Sequence, residues 1–166
     1  HTVEEYIQIF DKLINANKNL KLSSDFIVSY PGENESDFKD TIDLVKKIKF
    51  INSFSFIFSP RPGTTAGDFP LIKKEISLER LKSLQDLLFS FQIETNSTFQ
   101  NKIVEVLVEN KMEKHNQLFG RNQYLNSVII DGNDKNIGKI VKVYIESFNK
   151  NTLFGKIINT TDTKAA

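Results

Sequence analysis

Along the first part of the chain, apolar positions alternate between helical spacing and short unbroken runs. Thr2 with Glu5 has the form of a capping box, and Tyr6, Ile9, Phe10, Leu13 and Ile14 then fall on one helical face. Residues 15–19, rich in Asn, break that helix. Phe26-Ile27-Val28 predicts a strand buried on both faces, ended by Pro31-Gly32. Asn34 is placed to cap a second helix carrying Phe38, Ile42, Val45 and Ile48. Residues 54–58 predict a second buried strand, closed by Pro60-Arg61-Pro62-Gly63. Ser77 is placed to cap a third helix with Leu78, Leu81, Leu84, Leu88 and Phe91. The order αβαβα predicts right-handed crossovers and parallel strands.

From about residue 99 the pattern changes to short β-rich segments: 103–109, Val128-Ile129-Ile130, 140–145 and 153–158. Asp131-Gly132 reads as a hairpin signal. In 140–145, Val141, Val143 and Ile145 alternate with Lys142 and Tyr144. Some five strands in about sixty residues predict a small OB-like barrel. The expected division is 1–97, then 98–160, then a tail at 161–166. The first segment cannot close on itself, because a β/α barrel takes six to eight units. It is therefore expected to be the end of a larger barrel.

Hydrophobic residues make up 39% and charged residues 26% of the 166, which suits a packed core. The absence of Cys removes thiolate zinc sites, thiol nucleophiles and Cys-ligated clusters from this chain. His1 and His115 are too few and too far apart for a metal site, and His115 is expected in an exposed loop without a role. Opening on His1 is read as a cut or processed end. No apolar run suits a membrane span and no signal peptide opens the chain. Residues 1–97 carry 12 basic and 14 acidic side chains, whereas 98–159 carry 9 and 6, so the later part is the basic one. Asp37, Asp40 and Asp43 read as a solvated helix face, and Ser23-Ser24-Asp25 lacks a base. No phosphate-binding glycine motif is present.

Asp25-Phe26-Ile27-Val28-Ser29-Tyr30-Pro31-Gly32-Glu33 closely resembles the D-x-I-V-G-F-P-G-E strand of radical-SAM methylthiotransferases. Phe54-Ser55-Phe56-Ile57-Phe58-Ser59-Pro60-Arg61-Pro62-Gly63-Thr64 is similar to the next barrel strand, and its S-P-R-P-G-T form most resembles the tRNA 2-methylthio-adenosine synthases. The later part resembles the family's TRAM domain at Val106-Leu107-Val108-Glu109, Gly120-Arg121, Asn126, Ile137-Gly138 and Leu153-Phe154-Gly155. Two positions depart: Ser29 and Asn101 each stand where the family has Gly.

The resemblance implies α/β followed by all-β: the last two β/α units of a partial TIM-like radical-SAM barrel, then a five-stranded TRAM barrel. It implies a cytoplasmic enzyme that adds a methylthio group to C2 of isopentenylated adenosine beside the tRNA anticodon. S-adenosylmethionine and two [4Fe–4S] clusters would serve the full-length parent. The cluster ligands would lie in a missing N-terminal part, so this piece alone should be inactive, with no catalytic or metal-ligating residue of its own. Cofactor contacts are expected from Ile27, Ser29, Glu33 and Arg61. Ile27 has core packing as its plain reading, Glu33 a helix-start carboxylate, and Arg61 a salt bridge; Thr64 reads as a loop cap. Contacts to the tRNA anticodon arm are expected from Arg121, Tyr124, Asn126, Lys139, Lys142, Phe154 and Lys156, by phosphate pairing and base stacking. Asn122 and Asn126 suit either base edges or turns, and a lone Lys suits a solvated surface. The rival readings are a stand-alone TRAM-type RNA-binding module and the inert product of a broken reading frame.

Overall fold

The computed structural model describes residues 2–113 and 116–158, so His115 and the tail at 161–166 lie outside the described residues. By packing, the chain divides into two units, 1–91 and 92–166.

The first unit begins with α1 (Val3–Ala16), capped by the Thr2–Glu5 box: Thr2 Oγ1 accepts from Glu5 N and Glu5 Oε2 accepts from Thr2 N. Then come β1 (Asp25–Val28), α2 (Glu35–Ile48) and β2 (Phe54–Ile57). Asn34 caps α2 with Asp37 as its reciprocal partner, and the helix ends at Lys49 in the left-handed conformation. A 3-10 helix (Thr65–Asp68) precedes α3 (Lys74–Ser97). β1 and β2 pair in parallel, with Ile27 opposite Phe56. Phe26, Val28, Phe38, Val45, Ile48, Phe50, Leu84 and Leu88 form the core.

Two expectations fail here. Only Phe26 and Val28 of β1 turn to the core, while Ile27 is 59% exposed. One layer of helices covers one face of the two strands. On the other face Ile27, Phe54 and Phe56 stand uncovered among the described residues. Ser77 is not a cap: α3 starts at Lys74, and Ser77 sits buried in its first turns, its hydroxyl donating back to Lys73 O. Leu78 accordingly points outward.

The second unit is a closed five-stranded barrel in the order β3-β4-β5-β7-β6, with β6 pairing back to β3. Its strands are β3 (Ile103–Lys111), β4 (Gln117–Asn122), β5 (Ser127–Asp131), β6 (Ile140–Phe148) and β7 (Thr152–Ile157). Val106, Val108, Leu118, Val128, Ile130, Val143, Ile145 and Leu153 fill the interior. Alternation therefore sends Glu105, Arg121, Lys142, Tyr144 and Lys156 outward. Asp131-Gly132 makes no hairpin. β5 pairs with β4 and, in parallel, with β7, so the chain after Gly132 runs through a 3-10 turn (Asp134–Asn136) to reach β6.

Two glycines close the barrel. A Cβ on Gly120 would strike Leu107 O, with Val106 Cγ1 at 2.7 Å, and one on Gly155 would strike Tyr144 O, with Val143 Cγ1 at 2.8 Å. Only glycine lets these strand pairs approach so closely. No helix among the described residues is long and apolar enough to cross a membrane.

Candidate functional site

In the first unit, an open cavity of about 610 Å³ lies against the uncovered face of the two strands and the loop that follows β2. Ile27, Phe56, Ile57 and Phe58 give it apolar walls, and Ser59, Arg61, Thr64 and Ala66 complete it. Thr64 fixes the Arg61 loop: its hydroxyl donates to Arg61 O at 2.8 Å and accepts from Gly67 N. Pro60 and Pro62 stiffen the backbone on either side. The Arg61 side chain is exposed and pairs with no carboxylate among the described residues. A guanidinium with free donors at an apolar wall suits an aromatic ligand that carries a carboxylate or phosphate.

Ile27 and Arg61 thus share one cavity, but Ser29 and Glu33 lie apart from its lining. Ser29 is buried in the turn after β1, with its N–H donating to Glu33 Oε1 at 3.0 Å. The same oxygen accepts from Arg80 Nη1 at 2.7 Å, and Arg80 Nη1 also donates to Glu33 O. Arg80 Nη2 reaches Glu35, and its guanidinium lies over the Phe38 ring at 5.4 Å. Arg80 was not a predicted site residue. Ser29 has φ +60°, and its buried hydroxyl has no partner among the described residues. Asn101 also has φ +60°.

In the barrel, Arg121 on β4 donates from Nη1 to Glu109 at 2.8 and 2.5 Å, and its guanidinium lies over the Phe119 ring at 5.1 Å. Lys156 on β7 pairs with Glu146 at 2.6 Å, and the carboxylate raises the lysine's pKa above its ordinary value. Phe154 is half-buried on the outer face of β7. Lys142 on β6 faces outward beside Glu105, and Lys139 is exposed in the connection before β6. Neither forms an ion pair among the described residues.

The turn residues behave differently. Tyr124 is half-buried against Phe99, with ring centroids 5.8 Å apart. Asn122 Oδ1 accepts from Tyr124 N and Asn126 N, so Asn122 holds the turn. Asn126 is 3% exposed and donates from Nδ2 to Asn96 Oδ1 at 2.8 Å. Asn96 in turn accepts from Gln92 Nε2 and donates to the carbonyls of Asn149 and Lys150. Asn126 belongs to this buried amide network and not to the surface.

Sequence reasoning also missed an internal repeat. Val106-Leu107-Val108-Glu109 and Leu118-Phe119-Gly120-Arg121 recur as Val143-Tyr144-Ile145-Glu146 and Leu153-Phe154-Gly155-Lys156. The two hairpins share one register: Val108 faces Gly120 and Leu107 faces Arg121, as Ile145 faces Gly155 and Tyr144 faces Lys156. Each has a bulge after that Val or Ile, at Glu109 and at Glu146. The shared Leu-Phe-Gly-basic tetrad was the available signal.

Among known proteins, the TRAM domain family matches residues 97–158. A tRNA-2-methylthio-N(6)-dimethylallyladenosine synthase of Pelagibacter ubique is 52% identical over 166 residues, covering 100% of this chain and 37% of its own length. Synthases of the same name from a Wolbachia of Culex pipiens and from Agrobacterium fabrum are 42% and 39% identical over 158 residues each, covering 93% and 95% of this chain. The chain spans a little over a third of the length of these curated relatives.

Proposed function

We propose that the chain, which is similar over nearly its whole length to tRNA-2-methylthio-N(6)-dimethylallyladenosine synthases and matches the TRAM domain family over residues 97–158, forms the tRNA-gripping end and part of the cofactor pocket of such an enzyme. The reaction would place a methylthio group on C2 of an isopentenylated adenosine beside the anticodon, in the cytoplasm. β1, β2 and their helices would be the last two β/α units of a radical-SAM barrel. The observation that carries this reading is the uncovered apolar face of that sheet, with its cavity and the free Arg61 at its rim.

The cavity fits S-adenosylmethionine in kind. Its volume lies in the range of small-molecule sites, its walls suit a purine, and Arg61 suits a carboxylate. When bound, that cofactor and its iron–sulfur clusters would supply the sulfur, the methyl group and the activation of the C2–H bond. The clusters do not fit this chain: it has no Cys, and no metal-holding group of His, Asp and Glu occurs among the described residues. Ile27 and Phe56 would exclude water, and Arg61 would orient the cofactor's carboxylate. Glu33 and Ser29 would act one shell out, shaping the turn after β1. The barrel would hold the anticodon arm through Arg121, Lys139, Lys142 and Lys156, with Phe154 and Tyr124 as stacking faces. Asn126 would keep the Tyr124 turn in place.

The test is Arg61→Ala in a polypeptide that joins the cluster ligands to this chain. Methylthiolated adenosine in tRNA, read by mass spectrometry, should fall at least tenfold while tRNA binding is kept, given that one charge-assisted pair is removed. Undiminished methylthiolation would remove Arg61 from the pocket. A stand-alone RNA-binding module predicts no methylthiolation in any such polypeptide.

A further inference from the structure

We propose that the repeated hairpins form two equivalent phosphate-binding units on one outer face of the barrel, and that Glu109 and Glu146 belong to that face as competitors of RNA phosphate. The proposal rests on the RNA-binding reading above and deepens it.

β5 lies between β4 and β7, and the register sets three outward rows across these strands. Arg121, Ser127 and Thr152 form one row; Gln117, Asp131 and Lys156 form another. Between them run Phe119, Ile129 and Phe154, all half-buried. The two cations therefore sit at diagonal corners of an apolar band with an aromatic ring at each end. Strand spacing and rise put them roughly 15 Å apart, too far for one phosphate to bridge. A strand crossing β5 would lay unpaired bases on the band and one phosphate at each corner. Stacking rings flanked by cations suit single-stranded nucleic acid.

Each cation is already held by the carboxylate of the neighbouring bulge. Both pairs are exposed, so each exchanges readily, and a phosphate must displace or share that carboxylate. The bulge explains the placement: the extra residue re-aims a side chain at the basic residue across the hairpin. Arg121 keeps Nε and Nη2 for a phosphate while Glu109 occupies Nη1. Lys139 and Lys142 form no ion pair among the described residues, although Glu105 stands opposite Lys142, so they would engage first and the two paired cations on exchange.

Binding of the whole chain to an anticodon stem–loop RNA, measured across a salt series, tests this. Arg121→Ala and Lys156→Ala should each weaken binding roughly tenfold and lower the salt slope by about one. Glu109→Gln and Glu146→Gln should each tighten binding roughly two- to fivefold and raise the slope by about one. Unaltered thermal melting of the four variants would show that folding is not what changes. If the Gln variants bind equally or more weakly while the Ala variants still weaken, the competition is overturned and the RNA reading stands. If one cation carries the whole effect, the equivalence of the units is overturned. If Arg121→Ala with Lys156→Ala binds at full strength, the RNA-binding reading of this face itself falls.

Discussion

Arg80 Nη1 donates to Glu33 Oε1 at 2.7 Å, and the two side chains are only 8% and 12% exposed. This pair ties the turn after β1 to the second turn of α3, across 47 positions of sequence. Removing one partner strands a charge in a nearly dry site. Arg80→Met should therefore destabilise the first unit by about 3–5 kcal/mol, seen as a lower denaturant midpoint. Glu33→Gln, which keeps an acceptor for Arg80, should cost less. Unchanged stability in Glu33→Gln beside a full loss in Arg80→Met would show that packing over Phe38, and not the ion pair, carries the effect.

Ser29 couples two unfavourable features: a left-handed backbone and a buried hydroxyl without a partner among the described residues. Glycine relieves the first and deletes the second. Ser29→Gly should raise stability by about 1 kcal/mol, read from the urea midpoint of the 166-residue chain. Ser29→Ala removes only the hydroxyl and should recover less. A destabilised Ser29→Gly would mean that the Cβ packs usefully in that turn.

The capped helices were legible because their signals are local: Thr2 with Glu5 and Asn34 with Asp37 each satisfy backbone donors three residues away. β4 was not legible. Gly120 reads as a turn residue, and Gln117, Arg121 and Asn122 are polar, yet Gly120 is what a close strand crossing demands. Arg80 was not singled out, although it lies on the same inner face as Ser77, Leu84 and Leu88. Its acidic partner comes from a distant turn that no helical period reveals. Asn126 has the composition of a base reader, but its partner Asn96 lies thirty positions earlier. The exposed loop position of Arg61 was legible because proline on both sides marks a rigid, outward loop.

The glycine pair makes a symmetrical prediction. Alanine at 120 or 155 forces a methyl group into a carbonyl oxygen of the facing strand. Each substitution should destabilise the barrel by about 1–3 kcal/mol or more, since the obstruction is backbone and cannot rotate away. Circular dichroism melting of Gly120→Ala and Gly155→Ala should show similar shifts, because the register around both is the same. One tolerated alanine would show that the two crossings differ in closeness.

The amide network around Asn96 decides where the barrel can be cut. Asn96 is 1% exposed and bonds Asn126, Gln92 and the carbonyls of Asn149 and Lys150. A piece spanning 98–160 lacks Asn96, so Asn126 Nδ2 and the two carbonyls lose their partner. Lost buried hydrogen bonds of this kind cost about 1–3 kcal/mol where water cannot replace them. A piece spanning 92–160 keeps the network and should melt higher than 98–160, with both unfolding cooperatively around the same valine-rich interior. Asn96→Ala in the longer piece should lower its melting point to that of the shorter one. Residues 1–97 alone should instead associate in solution, because Ile27, Phe54 and Phe56 leave an apolar sheet face open. Light scattering that finds 1–97 monomeric, together with a cooperative melt, would show that this face needs no cover.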